Sequence, residues 1–279
     1  NTVLELSGDV DYSTGNIDYI GNVVVRGNIT TGFTVKAGGD IEVNGVIEGA
    51  VVIAKGNILV KNGIAGGHKA QITAGGSLFA RFVENARVEV EGDVIVSEGI
   101  IQSQVKAGNN ILVEGRKGVI VGGTLQAVEE ITARVIGSSL SPQTILEVGS
   151  NPHLREERKQ INLEYQEKKK AFDNLNLYLH AYQKSGITMD NLPSKRKLAL
   201  VQLLSEYKVL KTELEELTAR KQLIEQELGR LQKGRVKVSD IAYPGVQITI
   251  GQAQFSLNDP IRRALFCLHE GDVKVEPLR

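Results

Sequence analysis

Apolar and polar residues alternate with a period of two along most of the first 150 positions of the chain. A ten-residue cassette recurs there, in which two alternating halves flank a glycine and a polar residue. The period-two alternation predicts that each half is a short strand with one buried face. Copies of the cassette begin at Thr34, Val51, Gln71, Arg87, Gln104 and Gly118.

The Gly-polar pair predicts a sharp corner between the two strands, with positive φ at the glycine. Corner positions step by 12 to 20 residues and lie at 8, 27, 39, 56, 76, 92, 109 and 123. A β-sandwich would need two-residue hairpin turns, but Asn-Gly pairs occur only at Asn44-Gly45 and Asn62-Gly63. We therefore predict a right-handed parallel β-helix, a solenoid in which each coil covers its neighbour.

The pattern changes to steps of three and four over residues 151–233. Two heptad ladders follow one another there, separated by a short stretch around Ser185-Gly186 and Pro193. They predict two helices of 30 to 38 residues that pair antiparallel as a coiled-coil hairpin, roughly 45–55 Å long. The first ladder is Ile161, Tyr165, Lys168, Phe172, Leu175, Leu179 and Tyr182. The second is Leu200, Leu203, Tyr207, Leu210, Leu214, Leu217, Lys221, Ile224, Leu228 and Leu231.

The order of these zones predicts a mostly β fold with an α insertion. Residues 1–150 form the β-helix, and residues 151–233 form a coiled-coil arm. Residues 234–279 return to β structure and continue or cap the solenoid. The chain begins on Asn1 inside a repeat, so we expect a fragment of a longer protein.

Composition narrows the functional classes. With 33 basic and 33 acidic residues, the whole chain gives no general electrostatic reason to expect nucleic acid or an anionic membrane as a partner. The only cysteine, Cys267, excludes an intramolecular disulfide and suits a reducing cytoplasm. It is expected to be a small buried apolar residue. No apolar run approaches the ~20 residues of a transmembrane helix.

A search for chemistry predicts no catalytic, cofactor or metal site. The four histidines lie in different zones without metal-ligand spacing. Residues 63–69 resemble a phosphate loop, but they lack its Gly-Lys-Ser/Thr ending and read as a bulge from one coil. A carbohydrate-active β-helix enzyme would need clustered carboxylates on an outward strand face, and no outward row stacks acids on successive coils. That enzyme remains an alternative.

One outward row is apolar on four consecutive coils, at Leu59, Phe79, Ile95 and Leu112. Two explanations stay open for these residues. The C-terminal zone covers them, or they form an interface with a partner or a second copy of the chain.

The half of the arm around the reversal is also apolar beyond a coiled-coil seam. This excess closes the hairpin tip or forms a docking surface for another helix or another copy of the arm. The residues concerned are Leu177, Tyr178, Ile187, Met189, Leu192, Leu198, Val201 and Leu204.

Four stretches together resemble the bacterial flagellar assembly protein A (FapA) family. They are the cassettes of the type found at residues 35–43, then Gly45–Ala50, Gly75–Asn85 and, most specifically, Gly234–Gly251. The resemblance covers essentially the whole chain. Members of the family usually carry a further N-terminal domain, which we expect to be missing here.

The resemblance implies a cytoplasmic, non-catalytic scaffold for flagellum assembly or for polar or cell-envelope organisation. It would dock protein partners, such as flagellar or polar-localisation proteins, through the arm or the solenoid wall, or form a homo-oligomer. A self-polymerising cytoskeletal β-solenoid is the remaining alternative.

Overall fold

The computed structural model describes residues 2–149, 152–184, 193–231 and 234–278. These residues form twenty strands and two helices. The strands are β1 (Val3–Leu6), β2 (Ile17–Tyr19), β3 (Asn22–Val25), β4 (Thr34–Ala37), β5 (Ile41–Val43), β6 (Val46–Ile47), β7 (Val51–Ala54), β8 (Ile58–Val60), β9 (Gly63–Ala74), β10 (Leu78–Val90), β11 (Val94–Ala107), β12 (Asn110–Val113), β13 (Val119–Ala127), β14 (Glu130–Ile136), β15 (Thr144–Val148), β16 (Arg235–Ala242), β17 (Val246–Ile250), β18 (Ala253–Ser256), β19 (Ile261–His269) and β20 (Asp272–Pro277). The helices are α1 (Pro152–Lys184) and α2 (Ser194–Leu231).

The prediction of a parallel solenoid is confirmed, with about eight turns. Each coil contributes to three parallel ladders, which form three faces. The first face runs through β1, β3, β5 and β8, and the third runs through β2, β4 and β7. The second face lies between them, and β6 belongs to it. In the middle coils, the long strands β10 and β11 take part in all three faces, bending at register shifts or left-handed residues.

The core consists of columns of apolar side chains that repeat once per coil. On the third face, the fully buried column includes Val35, Val52, Ile72, Val88 and Val105, in register on successive strands. Each fully buried Val or Ile contributes about 1.5–3 kcal/mol relative to an exposed one. Because each coil must bury an apolar side chain at the same position, the same alternating cassette recurs in the sequence.

The glycines of the first corner, between the third and first faces, are required for a different reason from the one expected. Gly39, Gly56, Gly76 and Gly92 do not have positive φ. Instead, a Cβ at Gly56 would lie 2.2 Å from Oδ1 of Asp40 on the preceding coil. That oxygen accepts a hydrogen bond from the backbone N–H of Asn57, at 2.6 Å. Glycine leaves room for a ladder of polar side chains that satisfies the corner amides.

This polar ladder explains the residue that follows each corner glycine. From Asn22 to Asp93, each side chain accepts a hydrogen bond from the backbone N–H of its counterpart on the next coil, and Asn110 is the last donor. The ladder runs through Asn22, Asp40, Asn57, Ser77, Asp93 and Asn110.

Three of the predicted corner positions, those of Gly8, Gly27 and Gly123, do not lie at the first corner. The backbones of Gly8, Gly27 and Gly45 pair with one another at a second corner, where Asn28 N–H donates to Asp9 Oδ1. Gly123 lies inside β13, and Glu129 takes the place that was predicted for it. The two corners use the same Gly-polar chemistry, so their sequence signatures are the same.

Positive φ is found instead at the third corner, between the second and third faces. His68, Asn85, Gln102 and Gly122 adopt φ values of 62°, 50°, 45° and 70° there. The 63–69 stretch lies within strand β9 rather than between strands. It does bulge from its coil, as expected, because the four residues between Ala65 and Ala70 face a single residue between Glu84 and Ala86 on the next coil. The buried Ser103 hydroxyl accepts a hydrogen bond from the Ala86 N–H and donates one to the Ile101 carbonyl.

The solenoid resumes after the arm. Strand β16 pairs in parallel with β14, and β17 pairs in parallel with β15, so residues 235–250 add another coil in register. The chain then reverses: β18 pairs antiparallel with β17, and β19 pairs antiparallel with β16 and β20. A Cβ on Gly234 would lie 2.7 Å from the backbone nitrogen of Gly149, so the chain returns to the point where it left.

The two helices form a separate compact unit, residues 151–229. Their antiparallel pairing is shown by contacts in which numbers rise on α1 and fall on α2. The Phe172 and Tyr207 rings stack with centroids 4.8 Å apart, and Lys168 Nζ lies 3.0 Å from Glu213 Oε2. Nearer the helix ends, Arg220 bonds Glu157. The coiled-coil prediction is confirmed, with helices of 33 and 38 residues.

Candidate interaction surfaces

Four apolar side chains lie in one outward column of the first face. Leu59 is paired in register with Phe79, Phe79 with Ile95, and Ile95 with Leu112. At ~4.8 Å per strand, the four span about 14 Å along the solenoid. Leu59 and Phe79 are 38% and 37% exposed, and Ile95 and Leu112 are half-buried. We call these four residues the apolar column.

Charged pairs lie beside the apolar column and at the end where Glu42 precedes Leu59. Lys61 Nζ lies 2.8 Å from Glu42 Oε1, and Arg81 Nε lies 2.7 Å from Glu98 Oε1. Lys117 also approaches Glu98, at 3.4 Å. The hydrogen bond from Arg81 is the largest cause of a lowered pKa at the Glu98 carboxyl. A polar rim around an apolar centre is typical of protein-binding surfaces.

The C-terminal zone does not lie over the apolar column, as one of the two expectations had it. Strands β17 and β19 pair with β15 and β16 and so extend and close the end of the solenoid. The outward column continues beyond Leu112 as Thr132, which is buried, and Lys237. Thr132 donates a hydrogen bond of 2.5 Å to Glu130 Oε1, and Arg235 forms an ion pair with the same carboxylate.

A second outward column, on the second face, is apolar and was not foreseen. Phe82 is paired with Gly99, Gly99 with Val119, and Val119 with Val135. A Cβ on Gly63 would lie 2.5 Å from the Phe82 ring, so this ring covers the glycine of the preceding coil. The sequence signal is the absence of a Gly-polar pair across residues 78–90, which form one long strand, β10, that takes part in all three faces.

The arm exposes apolar side chains on the outer surfaces of both helices. Leu177 and Tyr178 on α1 are 70% and 71% exposed, and Leu198 on α2 is 66% exposed. Val201 and Leu204 are also exposed. Ile187, Met189 and Leu192, which were predicted to join them, lie outside the described residues.

Two polar residues of the heptad ladders are held within the arm by specific partners. Lys168 bonds Glu213 and Glu164, and these bonds raise the pKa of its ammonium group, with Glu213 the larger cause. The ammonium group of Lys221 lies 5.9 Å from the centre of the Tyr165 ring. Both seam positions therefore carry a cation with a partner on the facing helix.

Little in the described residues points to catalysis. Across residues 2–149, 152–184, 193–231 and 234–278, no group of three or more His, Cys, Asp or Glu side chains could hold a metal ion. Cys267 is half-buried rather than buried; burial raises the pKa of its thiol, and the Glu276 carboxylate raises it further.

Neither helix, over its described length, has an apolar stretch that could cross a bilayer. That finding concerns spanning segments only.

Comparison with known proteins gives one match. No curated protein and no solved structure matches the chain. The model of the family described as "Flagellar Assembly Protein A beta solenoid domain" matches residues 2–273. This match covers the three faces of the solenoid, the inserted helices and the closing strands up to the start of β20. The chain belongs to the Flagellar Assembly Protein A (FapA) family.

Proposed function

We propose that this chain is a non-catalytic scaffold in flagellum assembly and that it docks a protein partner on the apolar column of the solenoid wall. Membership of a flagellar assembly family supports the process. The observation that carries the docking site is the in-register stack of Leu59, Phe79, Ile95 and Leu112, two of which are more than one-third exposed.

A rigid wall suits such a role. Every coil is joined to the next by three ladders, so the four apolar side chains are held at fixed spacing without a partner. A preorganised surface loses less conformational entropy on binding than a flexible one. The arm is the alternative docking site for the partner. The proposal places the scaffold in the cytoplasm, including the cell pole.

The test compares two isoleucine substitutions of the same chemistry. Ile95→Glu places a carboxylate in the apolar column. Ile53→Glu places one at a half-buried outward position of the third face, between Lys36 and Thr73. Tagged proteins are used to capture partners from a lysate of the source bacterium, and captured proteins are identified by mass spectrometry. Both variants are checked for folding by circular dichroism.

We expect a flagellar component that is captured by the unaltered chain and by Ile53→Glu, and that is lost with Ile95→Glu. Capture of the same component by a folded Ile95→Glu protein would exclude the column. If a variant without the arm loses the component while Ile95→Glu retains it, the docking site is on the arm. A strain from which the gene has been deleted is then complemented. If the unaltered gene restores swimming and the Ile95→Glu gene does not, the apolar column is required for flagellum assembly.

A further inference from the structure

The net charge of the whole chain is zero, but the arm and the rest of the chain carry opposite net charges. Residues 151–233 contain 16 Lys and Arg against 12 Asp and Glu, a balance of +4. The remaining positions contain 17 against 21, a balance of −4. The arm is therefore basic although the chain as a whole is neutral.

The basic character is concentrated where the acids are missing. We define the distal segment as residues 174–184, in α1, together with residues 193–205, which include Pro193 and the start of α2. These two stretches contain four Lys and Arg and no Asp or Glu. Lys184 and Arg196 are exposed, and Lys197 is partly exposed. In the rest of the arm, cations such as Arg220 and Lys168 are paired with carboxylates.

Among the described residues of the arm, the three most exposed apolar side chains, Leu177, Tyr178 and Leu198, lie in the distal segment, and Leu223, outside it, follows at 63%. The exposed apolar side chains of the distal segment lie on both helices, and on α2 they follow one stripe. Leu177 and Tyr178 are consecutive, so their side chains diverge by ~100° on the helix surface. Leu198, Val201 and Leu204 are separated by three residues each, and so step by ~60° around α2. All five are exposed.

We propose that the distal segment of the arm binds an anionic lipid surface. Apolar and aromatic side chains beside Lys and Arg, without acids, are the composition of helices that lie in a bilayer interface. There the apolar groups enter the acyl boundary while Lys and Arg reach the headgroups. Tyrosine is enriched at this depth.

Two other occupants fit these observations less well. A docked protein helix could contact the apolar stripe of α2, but it would have to supply the acidic side chains that the distal stretches lack. A second copy of the same segment would bring the cations of both copies together, since the distal stretches contain no acid to pair with them. An anionic lipid surface meets both the positive charge and the exposed apolar side chains of the distal segment.

The experiment is sedimentation of the full chain with sucrose-loaded vesicles of phosphatidylcholine alone, or with about one-third phosphatidylglycerol. A distal variant carries Lys184→Glu, Arg196→Glu and Lys197→Glu. A matched variant reverses three exposed cations outside the distal segment, with Arg158→Glu, Lys159→Glu and Lys211→Glu. An apolar variant carries Leu177→Gln, Tyr178→Gln and Leu198→Gln. Helix content is compared by circular dichroism.

We expect at least tenfold tighter binding to the anionic vesicles, weakened by raising the salt from 50 to 300 mM. The distal and apolar variants should each lose at least tenfold, while the matched variant loses less than threefold. Equal binding to neutral and anionic vesicles would overturn the proposal, as would an equal loss in the matched variant. Dimers that form through the distal segment without vesicle binding, or an acidic protein bound in place of lipid, would also overturn it.

Discussion

The carboxylate of Glu130 and the guanidinium of Arg235 form an ion pair on adjacent coils, although 105 positions separate them in the sequence. The two residues are register partners in β14 and β16. This pair shows that the coil after the arm stacks on the coil before it as any other coil does. The solenoid is one continuous structure that the chain leaves and re-enters.

The first prediction is that the solenoid folds without the arm. Replacing residues 151–233 by a four-residue Gly/Ser linker should leave the β structure intact, because Gly149 and Gly234 are close neighbours. We expect unchanged β-sheet circular dichroism after the helical signal is subtracted, and a urea midpoint within about 10% of the parent. An aggregated product, with the parent monodisperse under the same conditions, would contradict this.

The second prediction concerns acid stability. Burial raises the pKa of Glu130, but hydrogen bonds from Thr132 and Arg235 outweigh it, so the pKa is lowered from 4.5. Because the folded-state pKa is lower than the unfolded-state pKa, the stabilisation is complete above pH 4.5 and is lost as the pH falls through the lowered pKa. Glu130→Gln should cost about 1–2 kcal/mol at pH 7, and the difference should shrink below pH 4. Urea denaturation at both pH values measures this; a difference that grows in acid would oppose it.

The third prediction tests the role of the corner glycines. Gly56→Ala forces a Cβ to within 2.2 Å of Asp40 Oδ1 and so breaks the hydrogen bond to Asn57 N–H. We expect a loss of about 2–4 kcal/mol. Gly8→Ala is the matched control, because nothing lies within 4 Å of its added Cβ. Similar chemical-denaturation midpoints for the two variants would show that the polar ladder does not need glycine.

The fourth prediction concerns the third corner. Ser103→Ala removes the acceptor of the Ala86 N–H at a site that is 1% exposed. An unsatisfied buried amide costs about 1–3 kcal/mol, so the melting temperature should fall, and the Ala86 amide should exchange faster with deuterium. Ser97→Ala, at an exposed position, is expected to change neither measurement. Unaltered exchange at Ala86 in Ser103→Ala would indicate another acceptor.

The fifth prediction uses the single cysteine as a probe. Burial and the Glu276 carboxylate raise the pKa of Cys267, so less thiolate is present at a given pH and alkylation is slow. Glu276→Gln removes the second cause only. We expect iodoacetamide to react with this variant about two to three times faster at pH 8, as followed by mass spectrometry. A slower reaction would mean that Glu276 acts on the thiol in another way.

The sequence was sufficient for the fold because every coil meets the same burial requirement. Val35, Val52 and Ile72 occupy equivalent positions, so the period-two pattern repeats and predicts a solenoid. It was insufficient for the register of the first coils. Gly27-Asn28 and Gly39-Asp40 perform the same hydrogen bonding at two different corners, and their local sequences do not distinguish the corners.

A candidate surface could be predicted where a Gly-polar pair precedes the strand on every coil. Leu59, Phe79, Ile95 and Leu112 follow such pairs, and the structure places them in one ladder. Phe82 and Val119 do not follow one, because β10 bends between faces at a register shift between Ala80 and Phe82. Such a shift is a property of the pairing between coils, which no single cassette contains.

The meeting of Gly149 and Gly234 has a consequence for the order of folding. Bringing these residues together requires closing a loop of more than 80 residues, and contacts between distant residues are formed slowly. Helices propagate from local contacts, and the pairing of α1 with α2 draws the two ends of the insertion together. Once the hairpin has formed, the effective chain length between Gly149 and Gly234 is short. By forming first, the arm makes the pairing of β16 with β14 nearly local.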